Sequence, residues 1–156
     1  MAEKRKTAKK RRAVIVGGMR TPFIRAFTDF TQLQSYELGS AAVKGLLEAV
    51  PVKWDAIDGV IWGGVVLGGS AVNIGREIVL ELKLPPTIEA TTVTRACTSS
   101  LMAITLAAAA IERGDADVVI AGGSDSTSNA EVKLPATLVH KAAPVVMSSK
   151  STVADY

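Results

Sequence analysis

The 156 residues of the chain suffice for one domain with a sizeable core, and a composition of 48% hydrophobic and 21% charged residues is that of a globular protein. Aromatic residues make up only 4%, so the core has to be built from Ala, Val, Ile and Leu, and the single cysteine, Cys97, excludes an internal disulfide and suits a reducing, cytoplasmic compartment. The formal charge of +3 belongs to the first twelve residues, "MAEKRKTAKKRR", whose seven Lys/Arg and one acid leave 11 basic and 14 acidic residues, about −3, for the rest.

Residues 1–12 therefore read as a basic, disordered tail ahead of a mildly acidic body at 13–156. The tail has no aromatic side chain to stack on a base, so no specific nucleic-acid partner is expected. It also lacks the apolar core of a signal peptide and the amphipathic face of a transit peptide. No stretch reaches the roughly 18 apolar residues of a membrane span. "SLMAITLAAAAI" at 100–111 is too short and ends in "ERGD".

In chain order, "AVIVGG" at 13–18 is a short β-branched run closed by two glycines, which predicts a buried strand. Pro22 stops any helix in the following "MRTPF" turn, and 25–34 reads as loop. Ser35 is placed to cap a helix reaching Ala49, with Leu38, Ala42, Leu46 and Ala49 on one face and Pro51 beyond its end. "IDGVIWGGVV" at 57–66 predicts a strand near a close backbone approach. Asn73 opens a second helix carrying Ile74, Ile78 and Leu82, ended by Pro85 and Pro86, and "TIEATTV" at 87–93 predicts a strand.

Residues 99–113 give the clearest helix, capped by Gly114, and its apolar character all round predicts burial on every side. "ADVVIAGG" at 116–123 predicts another buried strand, "SDSTSN" a polar loop, and from 131 onward Pro135 and Pro144 break the pattern. Strand and helix alternate throughout, which predicts an α/β layered fold with a mixed, mainly parallel sheet. The glycine pairs at 17–18, 63–64, 68–69 and 122–123 match neither a dinucleotide fingerprint nor a P-loop.

Cys97 falls between a predicted strand and the N-terminus of a buried helix. Unpaired backbone N–H groups and the positive end of the helix dipole meet there. Both favour an anionic sulfur, and the N–H groups, that of Cys97 included, suit an oxyanion forming on an attacked carbonyl. Position alone leaves two readings open, an acyl-accepting nucleophile and a packed, inert thiol. Arg95, two residues earlier, either raises the positive potential there or points to solvent. Ser99 and Ser100 are expected to satisfy N–H groups at the helix start, and Arg20 to have a structural role. Trp54 and Trp62 read as packing residues, and Asp115 and Asp117 as solvated strand edges.

"RRAVIVGGMRTPF" resembles the opening of the thiolase family, "TRACTSSLMAI" its nucleophile segment, and "GDADVVIAGGSDSTS" its following strand and G-G-x-E-x-M-S loop. "GREIVLELKLPPTIEATTVTRAC" is similar to the branch working in fatty-acid β-oxidation complexes. Asp125 and Thr127 depart from the usual glutamate and methionine of the loop. "ACTSSL" is nearly as similar to the ketoacyl synthases, and "RTPF" at 20–23 favours thiolase.

The resemblance implies an incomplete N-terminal thiolase domain in which Cys97 takes the acyl group of a 3-ketoacyl-CoA and passes it to coenzyme A. Coenzyme A is then a substrate, and no metal or redox cofactor is implied. A homodimer or tetramer, and membership of a β-oxidation complex, are the partners implied. The family's activating histidine, second cysteine and most coenzyme A contacts belong to sequence not seen here, so the coenzyme-binding residues stay unknown and the chain alone is expected to be inactive. The single histidine, His140, lies outside the matching motifs. A ketoacyl-synthase-like condensing enzyme and a non-catalytic thiolase-like scaffold subunit are the alternatives.

Overall fold

The structure, a computed structural model, describes residues 11–68, 71–131 and 134–146. Helix α1 (Ser35–Ala49) leads to β1 (Gly59–Gly63), α2 (Ile74–Glu81), β2 (Glu89–Val93), α3 (Ser99–Arg113), β3 (Val119–Gly123) and α4 (Ala136–Val146). The three strands form one parallel sheet in the order β2-β1-β3, with Gly59 in register with both Glu89 and Val119. The chain steps from β1 to β2 in one direction and from β2 past β1 to β3 in the other. Right-handed crossovers then place α2 and α3 on opposite faces.

Alternation along β1 assigns those faces. Val60 and Trp62 join Val43 of α1 and Ile74, Ile78 and Val79 of α2 in the main core. Each fully buried aliphatic side chain of this kind contributes about 1.5–3 kcal/mol. Gly63 turns to the other side, against α3. Helix α3 lies on the sheet through its small residues Ser99, Ala103 and Ala107, all buried. Gly114 ends it at φ 86, the left-handed conformation glycine adopts freely.

Most predicted elements stand where the sequence puts them. Asn73 caps α2, its Oδ1 accepting from Arg76 N at 3.2 Å. At α1 the cap is Gln34, whose N–H donates to Glu37 at 2.7 Å. Ser35 is the first helical residue instead, because its hydroxyl is engaged across the fold with Val66 O and Ser126 N.

Three further expectations need correction. Residues 13–18 are not a buried strand: they join no sheet, and Val14, Ile15 and Val16 are 74%, 84% and 78% exposed. Their apolar pattern is real, but β3 has no hydrogen-bonded strand on its outer edge among the described residues. A cavity of about 650 Å³, lined by Phe23, Phe30, Leu38, Trp62 and Ile120 among others, adjoins the continuation of the segment at 17–26. Helix α3 is buried on one stripe only, with Leu101 62% and Ile104 40% exposed, because the sheet is its only cover among the described elements. Helix α4 forms where the two prolines predict a broken pattern. Pro135 precedes it, its carbonyl accepting from Leu138 and Val139, and Pro144 lies inside the last turn, where it removes one bond to the carbonyl of His140 and the helix ends two residues later.

Of the predicted tail, residues 1–10 lie outside the described residues. Arg11 is anchored: its guanidinium donates to Ile111 O and Ala116 O and pairs with Asp117, tying the start of the body to the end of α3.

Candidate active site

The carboxyl ends of all three strands meet at one edge of the sheet, the edge at which open α/β sheets bind ligands. Backbone bonds tie these ends together, Gly64 N donating to Val93 O at 3.2 Å and Ser124 N to Gly63 O at 3.1 Å. Asp125 Oδ1 accepts from Val65 N at 2.8 Å and Val66 N at 2.6 Å, clamping the loop after β1 to the loop after β3. On the α1 side, Trp62 Nε1 donates to Ser124 Oγ at 2.8 Å, and that hydroxyl donates to Ser35 O at 2.6 Å.

Cys97 stands on this edge, exposed, in the turn joining β2 to α3. The turn is tightly bonded to itself. Thr98 N donates to Arg95 O and Ser99 N to Ala96 O, each at 3.1 Å, and Thr98 Oγ1 donates to Arg95 O at 2.8 Å. Ser99 Oγ accepts from Arg95 N at 2.8 Å and donates to Ala96 O at 2.6 Å. Ala96 has φ 47, a left-handed conformation that costs a residue with a Cβ about 1–2 kcal/mol. The segment thus turns sharply out of the strand directly before its cysteine.

Below the turn the first residues of α3 rest on glycine. A Cβ on Gly63 would fall on the backbone of Ser99 and 2.5 Å from Ser100 N, and one on Gly123 would meet Ser100 Cβ at 2.7 Å and Gly63 O at 2.8 Å. Only bare backbone at the ends of β1 and β3 lets the helix start this close to the sheet. Its positive end then lies beside Cys97.

The other predicted residues divide clearly. Arg95 points along α3, its guanidinium 3.6 Å from Met102 Sδ, and makes no ion pair among the described residues. Arg20 bonds its own turn at Thr21 O, a structural role. Trp62 is core, whereas Trp54 is exposed. Asp115 and Asp117 pair with Arg113 and Arg11. His140 is exposed on α4, and no described interaction links it to the Cys97 turn. Sequence reasoning gave Ser99 to the orphan N–H groups of the helix, whereas its hydroxyl serves the turn before the helix. It also missed Asp125 as a clamp. Asp58 was missed too: its Oδ2 accepts from Asp117 N at 2.7 Å and Val118 N at 2.9 Å and fixes the approach to β3. The signal for both aspartates was their place beside strand ends, where a carboxylate can take unpaired N–H groups.

The described residues contain no group of three or more His, Cys, Asp and Glu arranged to hold a metal ion, and no helix long and apolar enough to cross a membrane. The fold and site together define a parallel α/β layer with an exposed thiol at its carboxyl edge, in the turn that opens a helix. The profile of "Thiolase, N-terminal domain" matches residues 13–155. The chain belongs to the thiolase family, a family of acyltransferases.

A 3-ketoacyl-CoA thiolase of Pseudoalteromonas translucida is 41% identical over 123 residues, 79% of this chain and 28% of that protein. The mitochondrial trifunctional enzyme subunit beta of Bos taurus is 37% identical over 123 residues, 79% of this chain and 26% of that one. The crystal structure of the Bacillus anthracis acetyl-CoA acetyltransferase superposes with a TM-score of 0.78 at 26% identity, over 81% of this chain and 32% of that one. The chain thus spans less than a third of the length of these relatives.

Proposed function

We propose that the chain supplies the nucleophile-bearing part of a 3-ketoacyl-CoA thiolase, with Cys97 as the acyl acceptor. The observation that carries this reading is the exposed thiol in the helix-leading turn, inside the stretch that the thiolase profile matches. The Cys97 sulfur bonds to the C3 carbonyl carbon of a 3-ketoacyl-CoA, and the charge developing on that oxygen is stabilised by the backbone N–H of Cys97. The C2–C3 bond then breaks, its electron pair passes to the thioester enolate, and a proton releases acetyl-CoA. The thiol of a second coenzyme A attacks the acyl-cysteine, takes the acyl group and restores the Cys97 thiol. Run backwards, the same steps condense two acyl-CoAs.

The groups that move the protons, and the residues that hold coenzyme A, lie outside the described residues on this reading, so the chain alone turns over no substrate. Assembly as a homodimer or tetramer, or in a β-oxidation complex like the one the bovine relative's name denotes, belongs to the same proposal. So does a cytoplasmic location, which the lone free thiol supports.

Mapping iodoacetamide adducts tests the reading. Cys97 should be carboxamidomethylated near neutral pH faster than in the urea-denatured chain, and equal rates would end the nucleophile assignment. Thiolysis of acetoacetyl-CoA by the 156-residue chain should be undetectable, and measurable turnover would show that this chain suffices.

A further inference from the structure

The Ser99 side chain sits where its role is easily misread. It is the first residue of α3, 4% exposed, and its hydroxyl reaches back over the turn instead of up the helix. Accepting from Arg95 N and donating to Ala96 O, it bridges the Thr94–Arg95 and Ala96–Cys97 peptides, the two that bracket the Arg95–Ala96 pair. The Ala96–Cys97 peptide is planar, so holding its carbonyl toward Ser99 sends the Cys97 N–H to the opposite edge and fixes the direction in which the cysteine leaves the turn. Ala96 itself opposes this arrangement, because φ 47 is a conformation that a residue with a Cβ disfavours.

We propose that Ser99 is a positioning residue for Cys97: its buried hydroxyl clamps the left-handed Ala96 turn and thereby sets the orientation of the nucleophile. This rests on the reading of Cys97 given above. The hydroxyl touches no reacting atom; it acts through the peptide that carries the cysteine.

The test measures carboxamidomethylation of Cys97 by iodoacetamide from pH 6 to pH 9 in the 156-residue chain. It compares wild type with Ser99→Ala, Ser99→Thr, Ala96→Gly and the Ala96→Gly/Ser99→Ala double variant, with a thermal melt of each. Loss of the two bonds in Ser99→Ala is expected to slow alkylation at pH 7 about tenfold. Ser99→Thr, which keeps the hydroxyl, should restore the wild-type rate. Glycine at 96 accepts φ 47 without the hydroxyl's help, so the double variant should recover most of the rate.

Two results overturn the proposal: a Ser99→Ala variant that melts lower yet alkylates at the wild-type rate, or a double variant as slow as Ser99→Ala alone. If Ser99→Ala does not fold, the double variant decides by the same comparison. A wild-type Cys97 no faster than the denatured chain refutes the nucleophile reading and this proposal together, a result distinct from the other two.

Discussion

Gly63→Ala is the most informative single change for the site. The added Cβ would stand 2.5 Å from Ser100 N and overlap the Ser99 backbone, where carbon contacts normally begin near 3.4 Å. The obstructing atoms are main chain, so no side chain can rotate away. Gly63 is paired on both sides, with Val93 and Gly123, and cannot recede either. The start of α3 must therefore lift by roughly 1 Å, an overpacking strain of about 1–3 kcal/mol. For a domain near 150 residues that is a fall in melting temperature of about 3–10 °C. The same lift carries the Arg95–Ser99 turn off its seat, so Cys97 alkylation should slow as well. Gly18→Ala is the control, since a Cβ there meets nothing within 4 Å. Differential scanning fluorimetry and adduct mapping on the two variants decide. A Gly63→Ala chain that melts with Gly18→Ala and alkylates at the wild-type rate would show that α3 is not seated on the sheet as described.

Ser40 Oγ is buried without a hydrogen-bond partner among the described residues, so Ser40→Ala should raise stability by about 1–3 kcal/mol, read by urea unfolding; an unchanged or lower midpoint contradicts the assignment. The Asp58 carboxyl is held below its ordinary value by bonds from the N–H groups of Val118 and Asp117. Its contribution to stability is therefore complete above the unfolded value of about 3.9 and is lost as pH falls through the lower folded one. Asp58→Asn should lower stability at pH 7 and flatten the decline below pH 4, and parallel curves for variant and wild type would exclude the linkage. Arg11→Ala removes three bonds that tie residue 11 to Ile111 of α3 and to Ala116 and Asp117 beyond it. It should speed amide exchange at Gly114 and Asp115 with no change at Cys97, and an unchanged exchange pattern would disprove the anchor.

Local pattern sufficed wherever a segment's burial is decided by its immediate neighbours. Helix α3 shows its length, its Gly114 cap and its inner stripe of Ser99, Ala103 and Ala107 in sequence alone, and Asn73 likewise announces α2. The run 13–18 shows where that logic stops. Val14, Ile15 and Val16 are as strand-like as Val119 and Ile120, but hydrogen bonding to a neighbour makes a strand, and 13–18 joins no described strand although the outer edge of β3 is open. The outer face of α3 fails for the same reason, since Leu101 and Ile104 have apolar character but no cover. The place of Cys97, in the turn between a strand and a helix, was legible in the sequence, whereas its position alone left a nucleophile and an inert thiol both open. Ser99, Asp125 and Asp58 were not, because each acts on backbone groups whose positions only the fold defines.

The site is therefore better described as a mechanical unit than as a lone thiol. Glycine at the ends of β1 and β3 lets α3 approach, that approach brings the dipole to the turn, and the Ser99 hydroxyl holds the turn against the strain at Ala96. Removing any one of these supports leaves the cysteine in the sequence but changes its direction. A residue-type search would rate Cys97→Ser as the severe change and Gly63→Ala as mild. The geometry predicts that both impair acyl acceptance, the first by removing the sulfur and the second by moving it. The two are separable, because only the glycine variant should recover alkylation under a forcing excess of reagent while its melting temperature stays low.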